Sequence, residues 1–140
     1  MNTAETALRT MRILHGVFLF TVVLYVAAPW MAVTQSKELP MIVAAVMGVV
    51  ASTWVAAVFF FYSQKVRPWA ARLQSNPGDK QAAGQWRAGL ILCFAFSETI
   101  VLFGLALKLL GAPWKLAAIF YAVGTLLLIW CAPKLELLPE

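Results

Sequence analysis

The chain has 140 residues, enough for one domain, of which 62% are hydrophobic and only 12% charged. A water-soluble domain carries roughly 45–50% apolar and about 25% charged residues, so this composition excludes an ordinary soluble enzyme and indicates an integral membrane protein. The net charge of +5 is no nucleic-acid footprint. The basic residues sit at the ends of apolar stretches and in one loop, where membrane topology accounts for them.

Residues 1–10 are polar and compatible with a helix, and they read as an interfacial lead-in. Arg9 and Arg12 then precede a first expected span over 13–33. Its basic flank and small residues Ala27, Ala28 and Ala32 resemble a secretory signal. A signal core is only about 7–15 residues long, however, and this stretch is longer, so an uncleaved helix is expected. Pro29 and Trp30 mark its far end at the level of an aromatic belt. A short polar loop over 34–39 leads to Pro40, which suits the first turn of a second span over 41–62. In that span Ala44, Gly48, Ser52 and Ala56 recur every fourth residue. Such a small-residue stripe lets another helix backbone come close.

Residues 63–87 form the one long polar stretch, in which Lys65, Arg67, Arg72, Lys80 and Arg87 face only Asp79. It reads as a loop with a turn at 75–79, and Trp69 and Leu73 suggest a short amphipathic piece on the lipid headgroups. A third span is expected over 88–110 and a fourth over 114–131. Gly111-Ala112-Pro113 breaks the two apart, Pro133 ends the fourth, and a short charged tail follows. The expected fold is therefore an all-α, four-transmembrane-helix bundle forming a single integral membrane domain. Arg9, Arg12, the five basic loop residues and Lys134 would lie on one side, against Lys37, Lys108 and Lys115 on the other. The positive-inside rule then places both termini and the 63–87 loop in the cytoplasm of a cell with this chain in its inner membrane.

The third span holds Glu98 near its midpoint, where a carboxylate costs about 2.5–3.5 kcal/mol on insertion scales. An acid at that depth is a functional-site candidate. No Lys or Arg of the neighbouring spans shares its depth, which makes the ionised form the costly one. Ser97 and Thr99 lie beside it, and Thr21, Tyr25, Ser52, Thr53, Tyr121 and Thr125 fall at a similar level on the other spans. These hydroxyls both donate and accept, and they form a candidate polar layer around the carboxyl. The sole histidine, His15, sits near the cytoplasmic end of the first span and reads as interfacial. Cys93 and Cys131 lie in apolar segments without metal-ligand spacing and read as small buried hydrophobes. Cys131, near a helix end, also admits acylation. No nucleophile–base pair, phosphate loop or metal cluster is present, so no stand-alone enzymatic activity, cofactor or metal is expected.

The run Glu98-Thr-Ile-Val-Leu-Phe103-Gly104-Leu105, preceded by Ala95-Phe96-Ser97, resembles the carboxylate helix of the ATP synthase proteolipid, subunit c. There too a membrane Glu is followed after four residues by an aromatic, a glycine and an apolar residue. Arg67-Pro68 lies where that family carries an Arg-x-Pro-like loop signature, so the resemblance spans about residues 41–110. It implies that Glu98 binds and releases a proton and that Phe103 and Gly104 shape its surroundings. The chain departs from the family in having Gly48 alone where the first helix is glycine-dense, and in two additional spans. Three functions follow as expectations: proton or cation translocation; a non-catalytic structural or accessory subunit of a larger membrane complex; and transport of a small amphipathic cation. The expected partners are the lipid bilayer and copies of the chain or other membrane subunits.

Overall fold

The computed structural model describes residues 3–31 and 40–134. The loop expected over 34–39, with Lys37, and the tail beyond Lys134 lie outside the described residues. Within them the chain is helical, in the order α1 (Thr3–Met31), α2 (Met41–Phe61), a π-helical turn (Tyr62–Val66), α3 (Arg67–Ser75), α4 (Lys80–Leu109) and α5 (Trp114–Trp130). α2, the π turn and α3 form one rod. This rod, α1 and α4 are each long and apolar enough to cross a membrane. α5 has 17 residues, which at 1.5 Å each span about 26 Å, slightly short of a 30 Å hydrocarbon core. The architecture is a four-helix all-α bundle in which successive rods run antiparallel.

α4 is the spine of this bundle, touching α1, α2, α3 and α5. α2 buries only Ala51 and Val58 and leaves most of its apolar surface facing outward. That is the distribution expected of a helix whose solvent is lipid. The tightest packing is between α4 and α5, and glycine makes it possible. A Cβ on Gly124 would sit 2.5 Å from the Val101 Cγ2 and 2.7 Å from the Ser97 carbonyl oxygen. A Cβ on Gly104 would sit 3.0 Å from the Ala117 carbonyl oxygen.

The stripe expected to do this work, Ala44–Gly48–Ser52–Ala56, does not. Nothing lies within 4 Å of a Cβ placed on Gly48, and Ser52 and Ala56 are exposed. A four-residue repeat shows that a helix can be approached, but it carries no information about which neighbour arrives. Here an apolar groove of about 370 Å³ separates α2 from α5, lined by Gly48, Ser52, Val55, Ile119, Phe120 and Val123.

The second correction concerns residues 63–87, expected as a loop. They are helical except around Asn76–Asp79. Hydropathy drops along this stretch, but the helical spacing of apolar residues continues through Val66 and Leu73 and resumes at Ala82, Ala83, Trp86 and Leu90. All of these are buried. The start of α1 joins them through Ala4, Ala7, Leu8 and Met11, and the Ala4 N–H donates to the Pro77 carbonyl at 3.1 Å. The expected lead-in and loop are thus a three-helix cap built as direct extensions of the membrane helices. Leu73, expected on the headgroups, is wholly buried in this cap.

Three local devices shape the connections. Pro68 lacks the N–H that an α-helix needs, and its ring crowds the preceding turn. The rod absorbs it by widening, so that the Arg67 N–H donates five residues back to Tyr62. Asp79 caps α4, its Oδ1 accepting from the Ala82 N–H at 2.9 Å and its Oδ2 from the Arg72 Nε at 2.8 Å. The Ala82 N–H, supplemented by the Arg72 guanidinium, holds the Asp79 carboxyl below its ordinary value. At the other end of α4, Ala112 N–H bonds to Leu107 and Gly111 N–H to Lys108. Gly111 has φ 92°, the left-handed conformation this helix ending requires.

Candidate functional site

The depth of the site is fixed by side chains at both ends of the bundle. At one end the Trp30 and Trp114 rings lie 5.7 Å apart, and Lys108 Nζ reaches the Ala112 carbonyl at 3.3 Å. At the other, the Trp130 ring packs at a tilt against Tyr62, 4.4 Å between centroids, and against Phe59 at 5.0 Å. Cys93 of α4 lies buried toward that end, its Sγ 3.8 Å from the Val58 carbonyl of α2. Glu98 lies five residues from Cys93 and ten from Lys108, about 7 and 15 Å along the axis. It is inside the apolar slab.

Glu98 is half-buried in the seam between α1 and α4, rather than fully buried at the centre of the bundle. The reason is geometric: the middle of α4 presents Ser97, Val101 and Gly104 to α5, and Glu98 is displaced by about 100° from Ser97 on the same helix. Its Oε1 lies 2.7 Å from the Thr21 hydroxyl of α1. Tyr25, one turn further along α1, lies on the same face of that helix as Thr21. Behind it the Tyr121 hydroxyl donates to the Tyr25 carbonyl at 3.2 Å, which ties α5 to this part of α1.

Thr21 occupies an unusual position. Its oxygen is 2.7 Å from Glu98 Oε1 and also 2.7 Å from the Phe18 carbonyl oxygen. A hydroxyl has one proton to give. With Glu98 protonated, both contacts are satisfied at once: the acid donates to Thr21, and Thr21 donates to Phe18. With Glu98 ionised, Thr21 must give its proton to one oxygen and leave the other facing a lone pair.

The remaining members of the expected polar layer do not reach the carboxyl. Ser97 donates to Cys93 O at 2.8 Å, Thr99 to Ala95 O at 2.8 Å and Thr125 to Tyr121 O at 2.6 Å. Ser52 and Thr53 are exposed on α2 and donate to Gly48 O at 2.9 Å and Val49 O at 3.1 Å. In an apolar medium a Ser or Thr satisfies itself most easily on the backbone of its own preceding turn, and equal depth does not override that. The hydrogen-bonded pair is Glu98 and Thr21, with Tyr25 one turn away and held at its carbonyl by Tyr121.

Phe103 and Gly104 lie about 140° and 120° around the helix from Glu98, so neither is on its face. Gly104 seats α5 instead. His15 serves as a tie: its Nε2 is 2.9 Å from the Leu128 carbonyl and its ring packs 5.2 Å from Phe94. It therefore links α1 to α5 about 9 Å in depth from Thr21. The histidine's reach to a carbonyl on a distant helix had no sequence signal. No family model, curated protein or solved structure matches the chain.

Proposed function

We propose that Glu98 is a reversible proton-binding site within the membrane, and that the protein couples proton or small-cation occupancy of that site to movement of α1 against α4. The observation that carries this reading is the Thr21 hydroxyl held 2.7 Å from both Glu98 and the Phe18 carbonyl. Gain of a proton completes the chain Glu98–Thr21–Phe18. Loss of the proton forces Thr21 to choose between its two acceptors, which loosens either the seam or the adjacent turn of α1. Half-burial also supports the reading, because a proton has to arrive and leave. The likeness of Glu98–Leu105 to the proteolipid carboxylate helix points the same way.

The test is carbodiimide labelling together with proton flux in reconstituted vesicles. Selective modification of Glu98, and loss of flux in Glu98→Gln, are the expected results. An unreactive Glu98 with unchanged flux in Glu98→Gln would remove the proposal.

A second reading, an accessory subunit of a membrane complex, is favoured by the unfilled groove beside Gly48 and Ser52. It predicts that Gly48→Leu abolishes assembly in native membranes while Glu98→Gln is tolerated. Intact assembly in Gly48→Leu would count against it.

A further inference from the structure

Away from the carboxyl seam, a second recess opens where the π turn meets the end of α5. It has a volume of about 640 Å³ and is lined by Phe59, Phe60, Tyr62, Ser63, Arg67 and Trp130. The π turn is what brings Arg67 to it. On a regular α-helix Arg67 would stand about 140° around the axis from Tyr62. The Arg67 N–H instead reaches back five residues to the Tyr62 carbonyl, which turns both residues toward one face. Tyr62 packs against the Trp130 ring at 4.4 Å between centroids, and Phe59 meets the same ring at 5.0 Å. The guanidinium in this recess has no acid to answer it. The one ion pair among the described residues joins Arg72 to Asp79, and Glu98 lies deeper, on the α1–α4 seam. The Ser63 hydroxyl gives its proton to the Phe60 carbonyl at 2.9 Å, so Arg67 is left as the charged donor.

We propose that this recess binds an anionic glycerophospholipid, Arg67 pairing with the phosphate while Phe59, Phe60 and Trp130 hold the glycerol and the upper acyl carbons. Two features select a lipid over free phosphate. Phe59, Phe60 and Trp130 are all exposed at the outer surface of the bundle, and inorganic phosphate has no use for such apolar walls. Phe59 and Phe60 also precede Arg67 by eight and seven residues, about 10–12 Å along the rod. The aromatic rings therefore sit at the depth of acyl chains when the guanidinium sits among headgroups. Trp130 stands between the two, as an interfacial aromatic does. The sign of the ligand follows from the unanswered guanidinium, whose fork matches two phosphate oxygens. A choline headgroup would set its own cation beside Arg67. Lys65 on the π turn and Lys134, four residues past Trp130, add to the positive potential at this end.

The experiment titrates the full chain in mild detergent with phosphatidylglycerol, phosphatidylcholine and inorganic phosphate, and counts bound molecules by native mass spectrometry. The expected result is a phosphatidylglycerol retained on the chain, bound about tenfold or more tighter than phosphatidylcholine and not displaced by millimolar phosphate. Arg67→Gln should weaken phosphatidylglycerol about tenfold, as the loss of one charge-assisted contact does. Lys80→Gln removes an exposed charge of the cap outside the recess and should leave the affinity nearly unchanged. Equal affinity for the two lipids, equal loss in the two glutamine variants, or displacement of the lipid by phosphate would each overturn the proposal. The comparison of lipids on the wild-type chain stands even if Arg67→Gln does not fold.

Discussion

Gly124→Ala tests the contact on which the α4–α5 pair depends. The new methyl carbon would lie 2.7 Å from the Ser97 carbonyl oxygen, 3.0 Å from the Val101 N and 2.5 Å from the Val101 Cγ2. The Val101 side chain has one rotatable bond, but the first two atoms are α4 backbone. The two helices must therefore separate by about 0.7 Å locally to restore ordinary contact distance. Overpacking of this kind costs about 1–3 kcal/mol. Alanine's better helix propensity returns about 1 kcal/mol, so a net destabilisation remains. Gly48→Ala is the matched control: it gains the same propensity and meets no atom within 4 Å. Unfolding of both variants in a mild detergent, followed by circular dichroism against added SDS, should show Gly124→Ala unfolding at lower SDS than wild type and Gly48→Ala at the same level or higher. Wild-type behaviour of Gly124→Ala, or equal damage from the two alanines, would refute the packing argument.

Two further outcomes are expected in the cap. Leu73→Ala empties a fully buried site and should cost about 2–5 kcal/mol, seen as earlier proteolysis near the start of α1, while a cap as protease-resistant as wild type would contradict its burial. Asp79 titrates below the ordinary carboxylate range because the Ala82 N–H and then Arg72 favour its charged form. The folded cap therefore binds the Asp79 proton more weakly than the unfolded chain does. Its contribution to stability is present above the ordinary carboxylate value and is lost as pH falls through the depressed one. Hydrogen exchange at Ala82 should accelerate in that acid window, and Asp79→Asn, which keeps a cap without the charge, should flatten the response. Identical acid profiles would exclude Asp79 as the cause.

The bundle was largely legible because lipid demands long apolar runs, and turn residues punctuate them plainly. Gly111 and Pro113 mark one helix ending, and Asn76–Asp79 mark another. Glu98 was equally plain, being an acid in the middle of such a run. What could not be read was lateral arrangement. Depth placed Ser52 and Thr53 beside Glu98, yet rotation about the α2 axis puts them outside. The cap was hidden for a different reason. Polar helices lower the mean hydropathy as a loop does, and only the spacing of Val66, Leu73, Ala82, Ala83, Trp86 and Leu90 separates the two cases. The α4–α5 register, which Gly104 and Gly124 set together, was equally hidden, because a glycine shows that a neighbour can come close and not which one does.

The rod formed by α2, the π turn and α3 extends for about 50 Å without a flexible joint. It is pinned to α4 near Gly89, where a Cβ would lie 3.1 Å from Lys65 Cβ and Val66 Cγ2. The polar cap and the helix that carries Glu98 are therefore joined by close side-chain packing along their length, and not only through the Asn76–Asp79 corner.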